Sequence, residues 1–398
     1  MNPQSANASI RGSKRRLARV LIIGLLATLV VGGFGSRGVS NAAPDGRRVD
    51  RVKPSFSDPT SITNPLFPKS KLSQVIQLGA EGRMKLRFEV TQLPRTKVVK
   101  WNGRKIETRV THFVAYGDGR ILEVAYDFFA QAVDGSVWYF GENVDNYVNG
   151  VVANHNGTWL AGKDGPPGMI MPANPQVGDV YRPENIPGLV FEEVTVKAIG
   201  KTVPGPRGPV SRAVSVREHQ MGGTIEDKIY APGYGEFQAR VASLDELYNV
   251  ALAVPVDAQS GPMPGELPRL TAGAARIFEA ARSTNWGRSR ATLEKMIAAW
   301  DTYQKGAAVP RLLAIQMREA LQDLDATVAA RKPAAASQAA IDTGLASLDL
   351  QLRYRPAAEI DRVRLGLWKR QVLVDRAAGL STAVAGDLAT MRAISARS

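Results

Sequence analysis

The sequence predicts an α+β protein in which a long-stranded, curved antiparallel β-sheet or open barrel is followed by an all-α antiparallel helical bundle. Between about residues 64 and 250, apolar and polar residues alternate with a period of two, and Asn-Gly or Asp-Gly pairs recur. Beyond residue 268 the apolar period becomes 3.6. There Pro310, Pro333 and Pro356, 23 residues apart, each open an apolar stretch, as proline does at a helix start.

The first 43 residues predict a signal peptide or an N-terminal signal anchor. Five basic residues lie within 11–19, and an apolar run of 16 residues follows from Val20 to Gly35. Small residues at 40–42 suit cleavage. Sixteen residues are short for a transmembrane helix, so we favour a cleaved signal over a retained one. We therefore expect an exported protein in the periplasm, the cell envelope or the medium, with a single N-terminal hydrophobic segment.

The charge distribution argues against nucleic acid as a partner. The formal net charge is +14, of which +8 lies in residues 1–53 and −2 in residues 54–266. The C-terminal excess of +8 in residues 267–398 contains no basic cluster interleaved with aromatic residues. It would instead face an anionic lipid or polymer. The chain has no cysteine, so the fold has to rest on its own cores.

Composition divides the chain into five segments. They are a targeting segment (1–43), a basic and polar linker (44–63), a β domain (64–254), a Pro/Gly linker (255–268) and a helical bundle (269–398). Because residues 255–268 lack apolar periodicity, we expect few contacts across them and a separate core on each side.

Four turn pairs organise the β domain. Such pairs accept the positive φ angles of two-residue hairpins, and their spacing leaves strands of about a dozen residues, long enough to require curvature. They are Asn102-Gly103, Asp118-Gly119, Asp134-Gly135 and Asn149-Gly150. Two further segments, 163–179 and 204–209, are rich in proline and glycine and predict loops.

Three separated motifs in the β domain resemble segments of exported bacterial proteins of uncharacterised function. They are the hairpin 126–142 with Asp-Gly-Ser-Val-Trp-Tyr-Phe-Gly-Glu, Met-Pro-Ala-Asn-Pro at 171–175, and Tyr-Ala-Pro-Gly-Tyr-Gly at 230–235. The segment 348–375 also looks like a helical module of exported bacterial proteins. The resemblance implies export and a two-part build, and it implies no catalytic residues.

The hairpin from Tyr126 to Glu142 concentrates aromatic residues. Alternation places some rings on a concave face, where an aromatic-lined open barrel would hold an apolar or amphipathic ligand. The candidate ligand-binding residues are Tyr126, Phe128, Trp138 and Phe140. The alternative is that these rings form an ordinary core.

Two carboxylates flank the same hairpin. Asp127 and Glu142 lie at nearly mirrored distances from the turn, so they are candidates for a general acid/base pair. Such a pair would shift each other's pKa, as in glycosidases, and would make the protein a hydrolase of an envelope polymer. The alternative is that they end strands or pair with basic side chains.

A metal site is a third hypothesis. His155, Met169 and Met171 lie in loops of a thiol-free protein, and histidine with methionine suits cuprous copper. The spacing matches no known ligand pattern, and the alternative is that the methionines pack a loop onto the sheet. No nucleotide or other cofactor motif is present, and no cofactor is expected.

The helical part contains a basic group that could meet an anionic surface: Arg353, Arg355, Arg362, Arg364, Lys369 and Arg370. A solvated helix face is the alternative. Because no catalytic motif is recognisable, the leading hypothesis is an exported, non-enzymatic binding protein. Its partner would be an apolar or amphipathic ligand or an envelope protein. Polymer hydrolysis and copper handling are the two alternatives.

Overall fold

The structure, a computed structural model, describes residues 47–397. Fourteen β-strands precede six α-helices, which confirms the predicted α+β class and the order of its two parts. The predicted signal peptide or transmembrane helix lies outside the described residues. Within 47–397, no helix combines the length and the apolar character needed to cross a membrane.

The strands form one antiparallel sheet in the order β6-β5-β4-β3-β2-β1-β14-β13-β12-β11-β10-β9, with β7 and β8 also paired to β5. Their bounds are β1 (Gln74–Glu81), β2 (Met84–Trp101), β3 (Arg104–Gly117), β4 (Arg120–Gln131), β5 (Val137–Val148), β6 (Val151–Asn154), β7 (Trp159–Leu160), β8 (Gly168–Met171), β9 (Val180–Ile186), β10 (Val190–Gly205), β11 (Gly208–Gln220), β12 (Ile225–Ala231), β13 (Gly235–Val241) and β14 (Glu246–Val254).

The sheet is rolled but not closed. β8 pairs with β5 and also lies against β9 at the far end of the strand order. A Cβ atom on Gly168 would stand 1.9 Å from the carbonyl oxygen of Pro183, so only glycine allows this approach of β8 to β9. The roll brings side chains from the two ends of the sheet onto one shared inner face.

Three of the four predicted turn pairs form two-residue hairpins. Asn102, Asp118 and Asn149 have positive φ angles, as do the glycines that follow them. The connection at Asp134-Gly135 is longer, because the Asp134 carboxylate accepts hydrogen bonds from the backbone N–H and the hydroxyl of Ser136 (2.9 and 2.6 Å). These bonds form a turn that local side-chain chemistry favours.

Two segments predicted as loops are partly strands. Residues 168–171 form β8 within the segment 163–179. At 204–209, Pro204 and Pro209 face each other across the end of the β10–β11 hairpin. Proline is tolerated there because the ladder is interrupted by several register shifts toward this end.

The helices follow the predicted periodicity. Their bounds are α1 (Glu266–Arg282), α2 (Trp286–Gly306), α3 (Arg311–Ala329), α4 (Pro333–Gln351), α5 (Ala357–Ala377) and α6 (Ser381–Ser395). Pro310 and Pro356 immediately precede α3 and α5, and Pro333 opens α4, as predicted. Consecutive helices pack together, α1 also packs on α4, and α6 packs on β4.

One core is shared between the sheet and the helices, contrary to the prediction of few contacts between them, although the sheet also has buried clusters of its own. Ile76, Leu252 and Val254 of the sheet belong to the same buried apolar cluster as the helix residues. The segment 255–268 is also held in place, because Asp257 accepts hydrogen bonds from the Tyr234 hydroxyl (2.8 Å) and the Ala253 backbone N–H (2.7 Å). Periodicity within one segment cannot reveal apolar positions that another segment covers.

Residues 47–63, the described part of the predicted linker 44–63, also pack against the sheet. The Val49 backbone N–H donates to the Val180 carbonyl (2.9 Å) at β9, and Ile62 is fully buried. Phe56 packs edge-on against Phe140 of β5, with ring centroids 5.6 Å apart. This segment therefore forms a strap over the outer face of the sheet.

Candidate functional site

The carboxylates of the aromatic hairpin lie on the inner face of the rolled sheet. Asp127 of β4 and Glu142 of β5 are direct partners in the antiparallel register, as the turn offsets predict. Both side chains are buried. The Tyr139 hydroxyl donates to Asp127 (3.3 Å), whereas neither carboxyl oxygen of Glu142 accepts a well-formed hydrogen bond.

Strands from the opposite end of the sheet bring further buried carboxyl groups to this face. One of them, Glu184 of β9, accepts a hydrogen bond from the Trp159 indole N–H (2.7 Å). The others are Glu192, Glu218 and Glu226. Among described residues, the one lysine buried with them is Lys228, whose ammonium lies 2.8 Å from Glu218 and 3.4 Å from both Glu226 and Glu236. The inner face therefore carries more acidic than basic groups.

Burial dominates the ionisation of these acids, because a low-dielectric interior disfavours the charged form. It raises the pKa of Asp127 and of Glu192 to about 7, and that of Glu226 to about 8. It also raises the pKa of Glu142 and Glu184 well above their ordinary values; Glu184 raises the pKa of Glu142 further, and Asp127 raises the pKa of both. Such pairs hold a proton at neutral pH.

A cavity of about 60 Å³ opens at one end of the inner face. Aromatic and aliphatic side chains from β1, β2, β3, β12 and β14 form most of its wall. The polar groups that reach it include Lys69, Gln92, Asp127 and Glu236. Lys69 belongs to a short 3-10 helix, Lys69–Lys71, between the strap and β1.

The geometry gives the hydrolase hypothesis little support. Asp127 reaches the cavity, but Glu142 is fully buried and does not line it. A polymer substrate needs an open cleft with room for a sugar ring and a water molecule between the two carboxyl groups. A cavity of about 60 Å³ is too small for this arrangement.

The candidate ligand-binding rings separate into two groups. Phe128 and Phe140 are core residues, at 2% and 0% exposed. Phe140 packs edge-on against Trp101 with ring centroids 6.1 Å apart. Tyr126 is half-buried and lies against the His112 ring. Trp138 is also nearly buried, at 4% exposed, but of the four rings it alone lines an open groove. The predicted concave cavity lined by these four rings is therefore not formed, because Phe128 and Phe140 are packed into the core and none of the four lines the inner cavity.

The groove beside Trp138 has a volume of about 290 Å³ and lies between the strap and the strands β8 and β9. Its apolar walls are Trp101, Trp138, Pro166 and Pro167. The Trp138 indole N–H donates to the Ser136 hydroxyl (2.9 Å), which fixes the ring.

Two arginine–carboxylate pairs lie at the rim of this groove. The Arg48 guanidinium donates to Asp50 (2.7 and 2.5 Å), and Asp50 accepts from the Arg182 backbone N–H (3.0 Å). The Arg182 guanidinium in turn donates to Glu193 (2.9 and 2.7 Å). These pairs fix the rim, and the exposed Lys53 adds one further positive charge to it.

The copper candidates differ in their surroundings. Met169 and Met171 are buried in the core on β8. His155 is exposed, and its Nδ1 lies 2.8 Å from the Asp145 carboxylate and 2.9 Å from the Val144 carbonyl. In residues 47–397, no three His, Cys, Asp or Glu side chains are grouped so as to hold a metal ion. The packing alternative accounts for both methionines.

Two residues of the predicted basic group in the helical part are buried and cannot contact an anionic surface. Arg353 is buried and donates to the Tyr303 hydroxyl (3.1 Å). Arg364 is buried between Asp349 (2.9 Å) and Asp361 (2.7 Å). Their inclusion was wrong, because neither side chain reaches solvent, and one carboxylate of α4 and one of α5 already neutralise Arg364. The exposed or half-buried members are Arg355, Arg362, Lys369 and Arg370.

Sequence reasoning missed Lys69 and the buried acids of β9 to β12. The strand β12 shows why, because its exposed and buried faces are inverted relative to hydropathy. Ile225 is 44% exposed, whereas Glu226 and Lys228 are buried. The one available signal was the alternation of Glu226, Lys228 and Tyr230 along a single face.

Comparisons with known families, curated proteins and solved structures found no relative of this chain. No family model, no curated protein and no solved structure matches the chain. The resemblance of its motifs to exported bacterial proteins stays a prediction.

Proposed function

We propose that this chain is an exported, non-enzymatic binding protein that holds an amphipathic ligand in the groove beside Trp138. The observation that carries the proposal is the groove itself, whose volume of about 290 Å³ is near the lower end of the range for small-molecule sites. The inner cavity of about 60 Å³ is far below that range. The site is therefore assigned to the outer face of the sheet.

The walls of the groove determine the apolar part of the ligand. Trp101 is half-buried, and Trp138 is held in one orientation by Ser136. Trp101 therefore supplies most of the exposed indole surface, and the nearly buried Trp138 forms the wall behind it. A fixed indole ring binds an apolar face at a small loss of conformational entropy, so a ligand with a flat apolar face suits this groove.

The rim determines the polar part. Because Arg48 is paired with Asp50, and Arg182 with Glu193, neither guanidinium presents a net charge to a ligand. Each guanidinium carries five N–H donors in a fixed plane, and Asn185 adds an amide at the edge. Groups of this kind recognise neutral hydroxyl or amide groups, and the exposed Lys53 adds an ammonium that attracts one anionic group. The ligand is therefore amphipathic.

The experiment uses the protein without its first 43 residues. Small molecules that co-purify are identified by mass spectrometry, and the dye ANS, which joins an apolar ring face to one charged group, serves as a first probe. Trp101→Ala should weaken binding at least about tenfold, or about 1.4 kcal/mol. Trp286→Ala is the matched control, because Trp286 is also half-buried but lies on α2.

Equal binding of the dye by the Trp101→Ala and Trp286→Ala variants would contradict the proposal, whether both variants bind it or both fail to. Export is tested separately, by cell fractionation and by the intact mass of the secreted protein. A full-length cytoplasmic product would remove the exported part of the proposal while leaving the groove to be tested by the dye.

A further inference from the structure

The cavity at the end of the inner face brings an amine, a carboxyl group and an amide together. Its volume of about 60 Å³ corresponds to a handful of water-sized spheres, so it admits only a molecule of a few heavy atoms. Lys69, Gln92 and Asp127 reach it from three different elements.

Lys69 has no carboxylate within 4 Å among the described residues, although acids surround it. Its ammonium lies over the rings of Phe67 and Phe129, 4.6 and 5.4 Å from their centroids. Burial lowers the pKa of Lys69, and Asp127 and Glu236 act in the opposite direction without restoring it. A larger share of such an amine is neutral at a given pH, and the neutral amine is the nucleophile.

Asp127 and Gln92 complete the set. Asp127 is buried, its pKa is raised to about 7 by burial, and it can therefore donate a proton near neutral pH. The Gln92 side-chain oxygen accepts from the Thr111 hydroxyl (3.0 Å), which fixes the amide. Its Nε2 is buried without a hydrogen-bond partner, so it is a donor available to a carbonyl oxygen.

We propose that Lys69 captures a small aldehyde or ketone in this cavity as an imine. The lone pair of the Lys69 Nζ forms a bond to the carbonyl carbon, and the carbonyl oxygen takes a proton from Asp127. The nitrogen then loses a proton back to the carboxylate. Asp127 donates again as the hydroxyl group leaves as water, and the second nitrogen proton returns to it. Amine and carbonyl thus give imine and water, and no oxidant or reductant is consumed.

Gln92 orients the substrate in this step. Its amide N–H donates to the carbonyl oxygen while negative charge develops there, which is where such a donor stabilises the transition state. The aromatic wall, including Phe113 and Tyr248, limits the substrate to short carbon chains. The chemical class is therefore a small, uncharged carbonyl compound of about three carbons.

The test compares two lysines of one folded protein. The protein lacking its first 43 residues is incubated with propanal at pH 7 in the presence of cyanoborohydride, digested and mapped by mass spectrometry. Lys71 is the internal control, because it lies on the same 3-10 helix but is exposed and does not line the cavity. Lys69 should be modified at least tenfold faster than Lys71.

Two variants and one larger aldehyde make the result specific. Asp127→Asn should lower the rate at Lys69 at least fivefold and leave Lys71 unchanged; if that variant does not fold, Gln92→Leu should show a loss of the same kind. A naphthaldehyde should modify Lys71 but not Lys69. Equal rates at the two lysines, or modification of Lys69 by the naphthaldehyde, would overturn the proposal. Trp101→Ala should change none of these rates, which separates this site from the groove.

Discussion

Asp349 of α4 joins the helical part to the sheet by accepting two hydrogen bonds from the Arg87 guanidinium of β2, at 2.6 and 2.9 Å. The same carboxylate accepts from Arg364 of α5 (2.9 Å). Near it, the buried Arg397 pairs with Glu89 of β2. Arg87 and Arg397 together hold the pKa of Glu89 well below its ordinary value, although burial acts in the opposite direction. These ion pairs cross between the two parts of the chain.

Asp349→Ala should destabilise the protein strongly. It leaves Arg87 and Arg364 without their shared partner in a buried site, and breaking one side of a buried ion pair costs about 3–5 kcal/mol. The measurement is the free energy of unfolding in urea. Lys85→Ala is the control, because its pair with Glu319 also joins sheet to helix but is 73% and 50% exposed. Loss of that pair should cost less than about 1 kcal/mol, and similar losses in both variants would contradict the prediction.

Stability should fall as pH rises above about 5. The Glu226 pKa is raised from 4.5 in its ordinary state to about 8 in the folded protein. Between these values the folded state binds more protons than the unfolded state, so increasing pH favours unfolding. Glu246 follows the same course, with burial raising its pKa to about 8. Urea unfolding at pH 5, 7 and 9 measures the trend.

Glu226→Gln tests the assignment of this pH dependence. The variant keeps the shape of the side chain without its titration, so the difference in unfolding free energy between pH 5 and pH 9 should shrink by at least about 1 kcal/mol. Glu107→Gln, at an exposed position, should leave the difference unchanged. At the acid end the sign reverses: because the Glu89 pKa is lowered, its contribution is lost as pH falls below about 4.5.

Gly150→Ala should cost more than Gly103→Ala. Both glycines follow asparagine in a two-residue turn, with φ of 78° and 71°, so each substitution carries the left-handed penalty of about 1–2 kcal/mol. A Cβ atom on Gly150 would also lie 2.2 Å from the Gly386 backbone nitrogen of α6, whereas one on Gly103 meets nothing within 4 Å. The additional loss should be about 1–3 kcal/mol. Hydrogen exchange should show faster opening of α6 in the Gly150 variant alone.

Proteolytic cleavage at 260–262 should give two fragments that stay together. These residues are exposed, but the core that includes Leu252 and Leu267 is shared across the cut. Size-exclusion chromatography of the cleaved protein should show one species at the original elution volume. Two separate folded fragments would restore the idea of independent domains.

The sequence by itself determined the local structure of this protein. Alternation, turn pairs such as Asn102-Gly103 and the prolines before α3 and α5 act within a few residues, so they predicted the long strands, the helices and their order. The register of Asp127 with Glu142 followed from the same local geometry.

Only the tertiary structure decided which side chains meet. The rolling of the sheet brings Glu184 of β9 to Glu142 of β5, and helix packing buries Arg364 against Asp349. Such contacts join residues that are distant along the chain. Hydropathy also predicts that Glu226 and Lys228 are exposed, whereas both are buried. The physical reason is that a charged side chain can be buried when a remote partner or a retained proton neutralises it, and neither can be identified from a local pattern.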